Sequence, residues 1–191
     1  MKGTSCRDAI RKWEEKNGIP PAEGTEVSLI GQMPPMDRID DSLNQFENCT
    51  KLSLSTNAID KMVSLPRLKN LKILSLGRNN IKKIQYLDDV AATLEELWMS
   101  YNIVDKLEGL QSLQKLHTLY ISNNRIRDFN EIGKCAQLQE LRSVLFQGNP
   151  AYGELTKQQN WPRVVQKIPT IENIDGVIVS AQTRKEAEEL E

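Results

Sequence analysis

One pattern, L-x-x-L-x-L-x-x-N, is written five times in register between Cys49 and Pro150, and it constrains this chain more than any other feature. Its asparagines stand at Asn57, Asn79, Asn102, Asn124 and Asn149, at spacings of 22, 23, 22 and 25 residues. Ahead of each come the same three apolar slots: Cys49, Leu52 and Leu54; Leu71, Leu74 and Leu76; Leu94, Leu97 and Met99; Leu116, Leu119 and Ile121; Leu141, Val144 and Phe146. Side chains alternate between the two faces of a strand, so x-L-x-L sends its apolar groups to one side and their neighbours to the other. The asparagine then turns the chain sharply, and its amide satisfies backbone groups of that turn and of adjacent coils.

This period and spacing predict an α/β leucine-rich-repeat solenoid of about six coils. Its parallel sheet forms the concave face and short helices the convex one. One coil cannot cover its own apolar face, so stability comes from stacking neighbours, and both ends need caps. Ile59, Met62, Leu65 and Leu68, then Ile81, Ile84, Leu87 and Val90, fill the convex side at a three-residue step suited to 3₁₀ or short α turns.

The flanks divide as an N-terminal capping helix in 1–24, repeats in 25–150, a C-terminal repeat cap in 151–176 and a short charged tail in 177–191. Residues 5–17 read as an amphipathic helix, capped by Ser5, with Ala9, Ile10 and Trp13 on one face. Residues 25–48 read as a degenerate first coil. Val27 and Leu29 take its strand slots, Gln32 replaces the asparagine, and Ile39, Leu43 and Phe46 back it. Met33-Pro34-Pro35-Met36 breaks its outer turn. After Asn149, Val164, Val165 and Ile168 fall at helical spacing, and Ile171 and Ile174 resume the repeat step. That ending resembles the C-terminal cap of leucine-rich-repeat proteins such as the phosphatase-regulatory subunit and the spliceosomal A-prime protein. From Ser180 onward a short helix is expected, with Thr183 and Glu186 as a capping box. It has too few apolar residues to dock firmly and reads as a frayed, solvated tail.

Charged residues are 27% of the chain and the formal net charge is −1, so no global basic field points to nucleic acid or an acidic membrane. Cys6, Cys49 and Cys135 form no C-x-x-C pair, and the latter two sit in apolar slots, which reads as buried reduced thiols of a cytosolic protein. No apolar run has the length of a signal peptide or a membrane span. His117 is the single histidine, flanked by repeat leucines, and no phosphate-cradling glycine loop or metal-ligand cluster is written. Neither catalysis, cofactor nor metal is expected, and function is assigned to a binding surface.

The strands say where. The residues between the leucines point out of the concave sheet: Lys51, Ile73, Glu96, Thr118 and Ser143 in one column, Ser53, Ser75, Trp98, Tyr120 and Leu145 in the next. Arg78 and Tyr101 follow near the turn. Trp98, Tyr120 and Leu145 then lie on successive strands roughly 5 Å apart. A displayed cluster of this kind marks a partner site.

Several stretches together resemble a known family: Arg11-Lys12-Trp13-Glu14-Glu15-Lys16, the Gln32-x-Pro34-Pro35 break, Leu52-Ser53-Leu54-Ser55-Thr56-Asn57, Leu74 to Lys82, and Leu94-Glu95-Glu96-Leu97-Trp98-x-Ser100-Tyr101-Asn102. They are similar to the leucine-rich-repeat light chains of axonemal outer-arm dynein. The resemblance implies a non-catalytic subunit of a ciliary or flagellar motor, monomeric on its own. It would be bound to a dynein heavy chain at the microtubule-binding domain of the stalk tip, within the axonemal cytoskeleton. It assigns Ile73, Arg78, Trp98, Tyr101, Tyr120 and Leu145 to heavy-chain docking. It also places the tail, with Arg184, Lys185 and Glu188, near tubulin. There four glutamates against one arginine and one lysine would repel the acidic lattice over about 8 Å at physiological salt. Two other classes share the repeat: a phosphatase scaffold, which calls for more coils and an acidic concave face, and a ribonucleoprotein subunit with a similar coil number and cap.

Overall fold

The computed structural model describes residues 3–190. Six parallel strands lie side by side in chain order: β1 (Glu26–Ser28), β2 (Lys51–Ser53), β3 (Ile73–Ser75), β4 (Glu96–Trp98), β5 (Thr118–Tyr120) and β6 (Ser143–Leu145). The middle residues Val27, Leu52, Leu74, Leu97, Leu119 and Val144 pair in register and are at most 2% exposed. The residues on either side of them form the two outward columns read from the sequence.

The asparagines hold the coils together. Asn79 Nδ2 donates to Leu76 O of its own coil at 3.0 Å and to Leu54 O of the previous coil at 3.1 Å, while its Oδ1 accepts from Ile59 N. Asn102, Asn124 and Asn149 repeat the set one coil further each time. No apolar side chain could satisfy two carbonyls and an amide there, and each group left unpaired would cost about 1–3 kcal/mol. The residue before each of these asparagines turns through positive φ: Thr56, Arg78, Tyr101, Asn123 and Gly148. At Gly148 a Cβ would lie 2.4 Å from Asn123 Oδ1, so any side chain there would force the Asn123 amide to shift.

The ladder ends differently at its two extremes. Gln32 does not take the asparagine's role. It is half-buried, its side-chain amide reaches only Ile30 O at 3.5 Å, and its backbone N–H is instead held by Asn57 Oδ1. The physical reason is that no earlier coil offers a carbonyl to bridge. Past Gln32 the Met33–Pro34 bond is cis, and Thr4 Oγ1 donates to Pro34 O at 2.6 Å. Helix α1 (Cys6–Asn17) closes this end, with Ser5 Oγ accepting from Asp8 N and with Cys6, Ala9, Ile10 and Trp13 buried. Trp13 meets Phe46 edge-on at 5.1 Å.

At the other end helix α3 (Lys157–Lys167) buries Val164 and Val165, and β7 (Asn173–Ile174) adds a seventh parallel strand. Here Asp175 directly follows Ile174, which pairs with Val144 of β6. Its Oδ1 accepts from Phe146 N at 2.8 Å and Gln147 N at 2.9 Å, and its Oδ2 from Tyr152 Oη at 2.7 Å and Trp161 Nε1 at 3.1 Å. Four donors converge on one buried group, so a carboxylate, which only accepts, fits better than an amide. Burial beside this carboxylate raises the Tyr152 hydroxyl's pKa. Asp175 and Gly176, both at positive φ, then turn the chain into the antiparallel strand β8 (Val177–Ile178).

On the convex side, helical turns occur at Asp41–Gln45, Asp88–Val90 and in α2 (Phe129–Gly133) with Lys134–Gln137. The coils of Leu65 and of Leu110 pack their apolar residues through non-helical turns instead. Glu131 of α2, 5% exposed, ties two coils: it accepts from Leu107 N at 3.0 Å and pairs with Lys106 at 3.1 Å and Lys134 at 2.9 Å. Burial opposes its charge, but the hydrogen bonds from Lys134, Leu107 and Lys106 outweigh that and hold its carboxyl below the usual range.

The tail is not frayed. Helix α4 (Ala181–Glu188) is capped by Ser180, whose Oγ accepts from Thr183 N, so the capping residue lies three positions earlier than expected. Arg184 donates to Pro169 O at 2.9 Å and Ile171 O at 2.7 Å, Ala187 is buried, and Gln166 Nε2 donates to Leu190 O. Guanidinium bonds to main-chain carbonyls supply the docking that apolar area alone would not.

Candidate partner-binding face

The strand register brings the assigned residues together on the concave side. Ser75 pairs with Trp98, Trp98 with Tyr120, and Tyr120 with Leu145. Trp98 and Tyr120 stack, with ring centroids 5.9 Å apart at 22°, and both are half-buried. Leu145 is half-buried beside them, and Ile73 is half-buried in the neighbouring column. Large apolar groups on strands whose opposite side is already filled by leucines remain accessible because no further layer covers them.

Arg78 and Tyr101 occupy the positive-φ place before successive ladder asparagines; Tyr101 is exposed and Arg78 lies beside it. The Arg78 guanidinium lies 4.4 Å over the Tyr101 ring, a cation–π contact that fixes both side chains along the rim. Glu96 joins this set, although its place in the outward column gave it no assigned role. Its Oε2 accepts from Trp98 Nε1 at 3.0 Å, which orients the indole. The signal was available: residues two apart on a strand share a face.

Arg184, Lys185 and Glu188 lie apart from this face, on α4 against the C-terminal cap. Arg184 is engaged there by main-chain carbonyls, while Lys185 and Glu188 are exposed. Burial pushes the Cys6 and Cys135 thiols up to about 12 and Cys49 to about 11, so none is poised as a nucleophile. His117 Nδ1 lies 2.9 Å from Thr118 Oγ1, and its other nitrogen faces Glu95 at 3.8 Å. Among the described residues no three His, Cys, Asp or Glu side chains cluster to hold a metal, and no helix is long and apolar enough to cross a membrane.

A leucine-rich-repeat solenoid with one displayed aromatic face is a protein-binding scaffold, and comparison with known proteins specifies which. Residues 92–134 match the family model "Leucine Rich repeats (2 copies)". The chain is 50% identical over 179 residues to dynein axonemal light chain 1 of Homo sapiens, covering 93% of this chain and 94% of that one. It is 50% identical over 191 residues to the protein of that name from Chlamydomonas reinhardtii, covering 97% and 96%. To the Danio rerio protein it is 52% identical over 176 residues, covering 92% of each. Among solved structures, the Drosophila melanogaster SNF/U2A' complex matches at TM-score 0.59 and 19% identity, over 99% of this chain and 92% of that one. An LRR protein from Leptospira interrogans matches at 0.60 and 22%, over 73% and 34%. At those identities the structures speak for the fold alone, which leaves the ribonucleoprotein alternative resting on architecture. The chain belongs to the axonemal dynein light chain 1 family.

Proposed function

We propose that this chain is a non-catalytic light chain of ciliary or flagellar outer-arm dynein that docks a dynein heavy chain on its concave face. The observation that carries the reading is the Trp98–Tyr120 stack, held in register by β4 and β5 and oriented by Glu96. Aromatic side chains prearranged on a regular sheet lose little freedom on binding and dominate interface energetics. Ile73 and Leu145 extend the apolar surface, and Arg78 over Tyr101 supplies a charged, aromatic rim.

The heavy-chain element in this reading is the microtubule-binding domain at the stalk tip, and the light chain tunes the motor's grip on the microtubule in the axoneme. Lys185 and Glu188 of α4 are the groups nearest tubulin, whereas Arg184 acts by fixing α4 to the cap. The exposed glutamates of the tail then weaken microtubule affinity by repulsion over about one Debye length.

The test is recovery of proteins from salt-extracted axonemes with this chain as bait. A dynein heavy chain should be recovered with the natural sequence and lost with Trp98→Ala. Recovery of a phosphatase or a splicing protein with no heavy chain would overturn the reading. For the tail, removal of residues 180–191 should strengthen low-salt microtubule binding by the heavy-chain complex; unchanged binding would refute that part.

A further inference from the structure

Opposite the concave face, on the convex side of the first three coils, runs a groove of about 530 Å³. Ile39 and Met62, both buried, and half-buried Val63 form its apolar floor. Arg38, Lys61 and Tyr86 rise around it. Tyr86 has φ 62° and a side chain 53% exposed, like Tyr101 on the concave rim, but lacks the guanidinium that covers the Tyr101 ring. A bulky L-residue is disfavoured in the left-handed region because its Cβ crowds the backbone carbonyl.

The next coil shows what this turn asks for. Tyr86 lies seven residues after the ladder Asn79, and the residue seven after Asn102 is Gly109, at φ 92° and also followed by leucine. Glycine takes that conformation without strain. Coil 3 therefore carries a tyrosine at a glycine's place, and nothing within the fold compensates. The hydroxyl has no hydrogen-bond partner, and the ring no aromatic or cationic one, among the described residues. A strained residue that is also exposed points to a contact outside the chain.

The charges of the rim specify the partner's chemistry. Arg38 and Lys61 form no ion pair among the described residues, and Asp60 is the one acid of the groove. Lys83, four residues after Asn79 as Lys61 is four after Asn57, continues the cationic row into the next coil and is likewise unpaired among the described residues. An apolar floor under a net positive rim suits an amphipathic anion. We propose that this groove docks a peptide segment of a second protein, which inserts an apolar side chain against Met62 and Tyr86 and presents carboxylates to Arg38 and Lys61. The site lies across the sheet from Trp98, so it stands or falls independently of heavy-chain docking, and both partners fit at once.

The test uses the full chain and a phage-displayed library of random peptides. Enriched peptides should carry an aliphatic or aromatic residue flanked by Asp or Glu. Synthesised, they should bind Tyr86→Gly and Lys61→Glu at least about tenfold more weakly than the natural sequence, and Trp98→Ala equally well. Tyr86→Gly should melt at or above the natural temperature, which separates lost binding from lost fold. The proposal is overturned if no peptide is enriched, if the enriched peptides ignore Tyr86→Gly, or if they lose binding with Trp98→Ala. It is equally overturned if the chain self-associates through this groove and Tyr86→Gly makes it monomeric.

Discussion

The two halves of the concave face share one backbone and differ in what they display. In the column Ser28, Ser53, Ser75, Trp98, Tyr120, Leu145, all six positions pair in the same register over equally buried middle residues. The first three coils fill it with serine, and Ser75 Oγ lies 2.7 Å from Ser55 Oγ. The last three fill it with a tryptophan, a tyrosine and a leucine. Since the serine half folds the same way, the sheet does not require aromatic residues there, and the proposed docking role accounts for their presence in the other half. The aromatic half is also backed by two buried carboxylates, Glu131 and Asp175, that tie coils together with side-chain and main-chain donors.

The sharpest contrast lies between neighbours on β4. Leu97, fully buried, should lose about 2–5 kcal/mol of stability on Leu97→Ala, read by denaturant unfolding. Trp98→Ala should leave the unfolding midpoint nearly unchanged while weakening heavy-chain binding by about 2 kcal/mol, or roughly thirtyfold. A fold lost with Trp98→Ala would mean the register is wrong by one residue.

Asp175→Asn keeps shape but aims an N–H at groups that already donate. It should destabilise by about 1–3 kcal/mol, and because β6 carries Leu145, it should also loosen hydrogen-exchange protection at Phe146 and Gln147. Glu131→Gln removes the charge facing Lys106 and Lys134 and should cost about 1–2 kcal/mol at neutral pH. The Glu131 carboxyl is held below its ordinary 4.5, so its contribution is complete above that value and fades as pH falls through the folded-state value. The natural chain and the Glu131→Gln variant should therefore converge in stability toward acid; a gap that persisted unchanged would refute the linkage. Smallest, Arg184→Ala should release α4, raising its protease sensitivity with a loss of about 1 kcal/mol or less.

What the sequence revealed follows the strength of its periodicities. The inward leucines, the asparagine ladder and both outward columns were legible because a strand's period of two fixes which side each residue faces. Three features were not. Asp175 takes its role from four donors in the segment after β6 and in α3, which no local pattern records. Arg184 docks the tail through main-chain carbonyls, an acceptor every residue carries, so composition suggested fraying. Gln32 looked like a ladder residue by spacing, but a ladder's first member has no coil behind it to bridge.

The most direct test places a photoreactive benzoylphenylalanine at Tyr120 in one chain and at Ser28 in another, both in the same outward column, and irradiates each in reconstituted axonemes. Docking on the aromatic half predicts a light-dependent adduct with a dynein heavy chain from position 120 and none from position 28. An adduct from position 28 alone, or heavy-chain binding with no adduct from position 120, would contradict the assignment of the concave aromatic face.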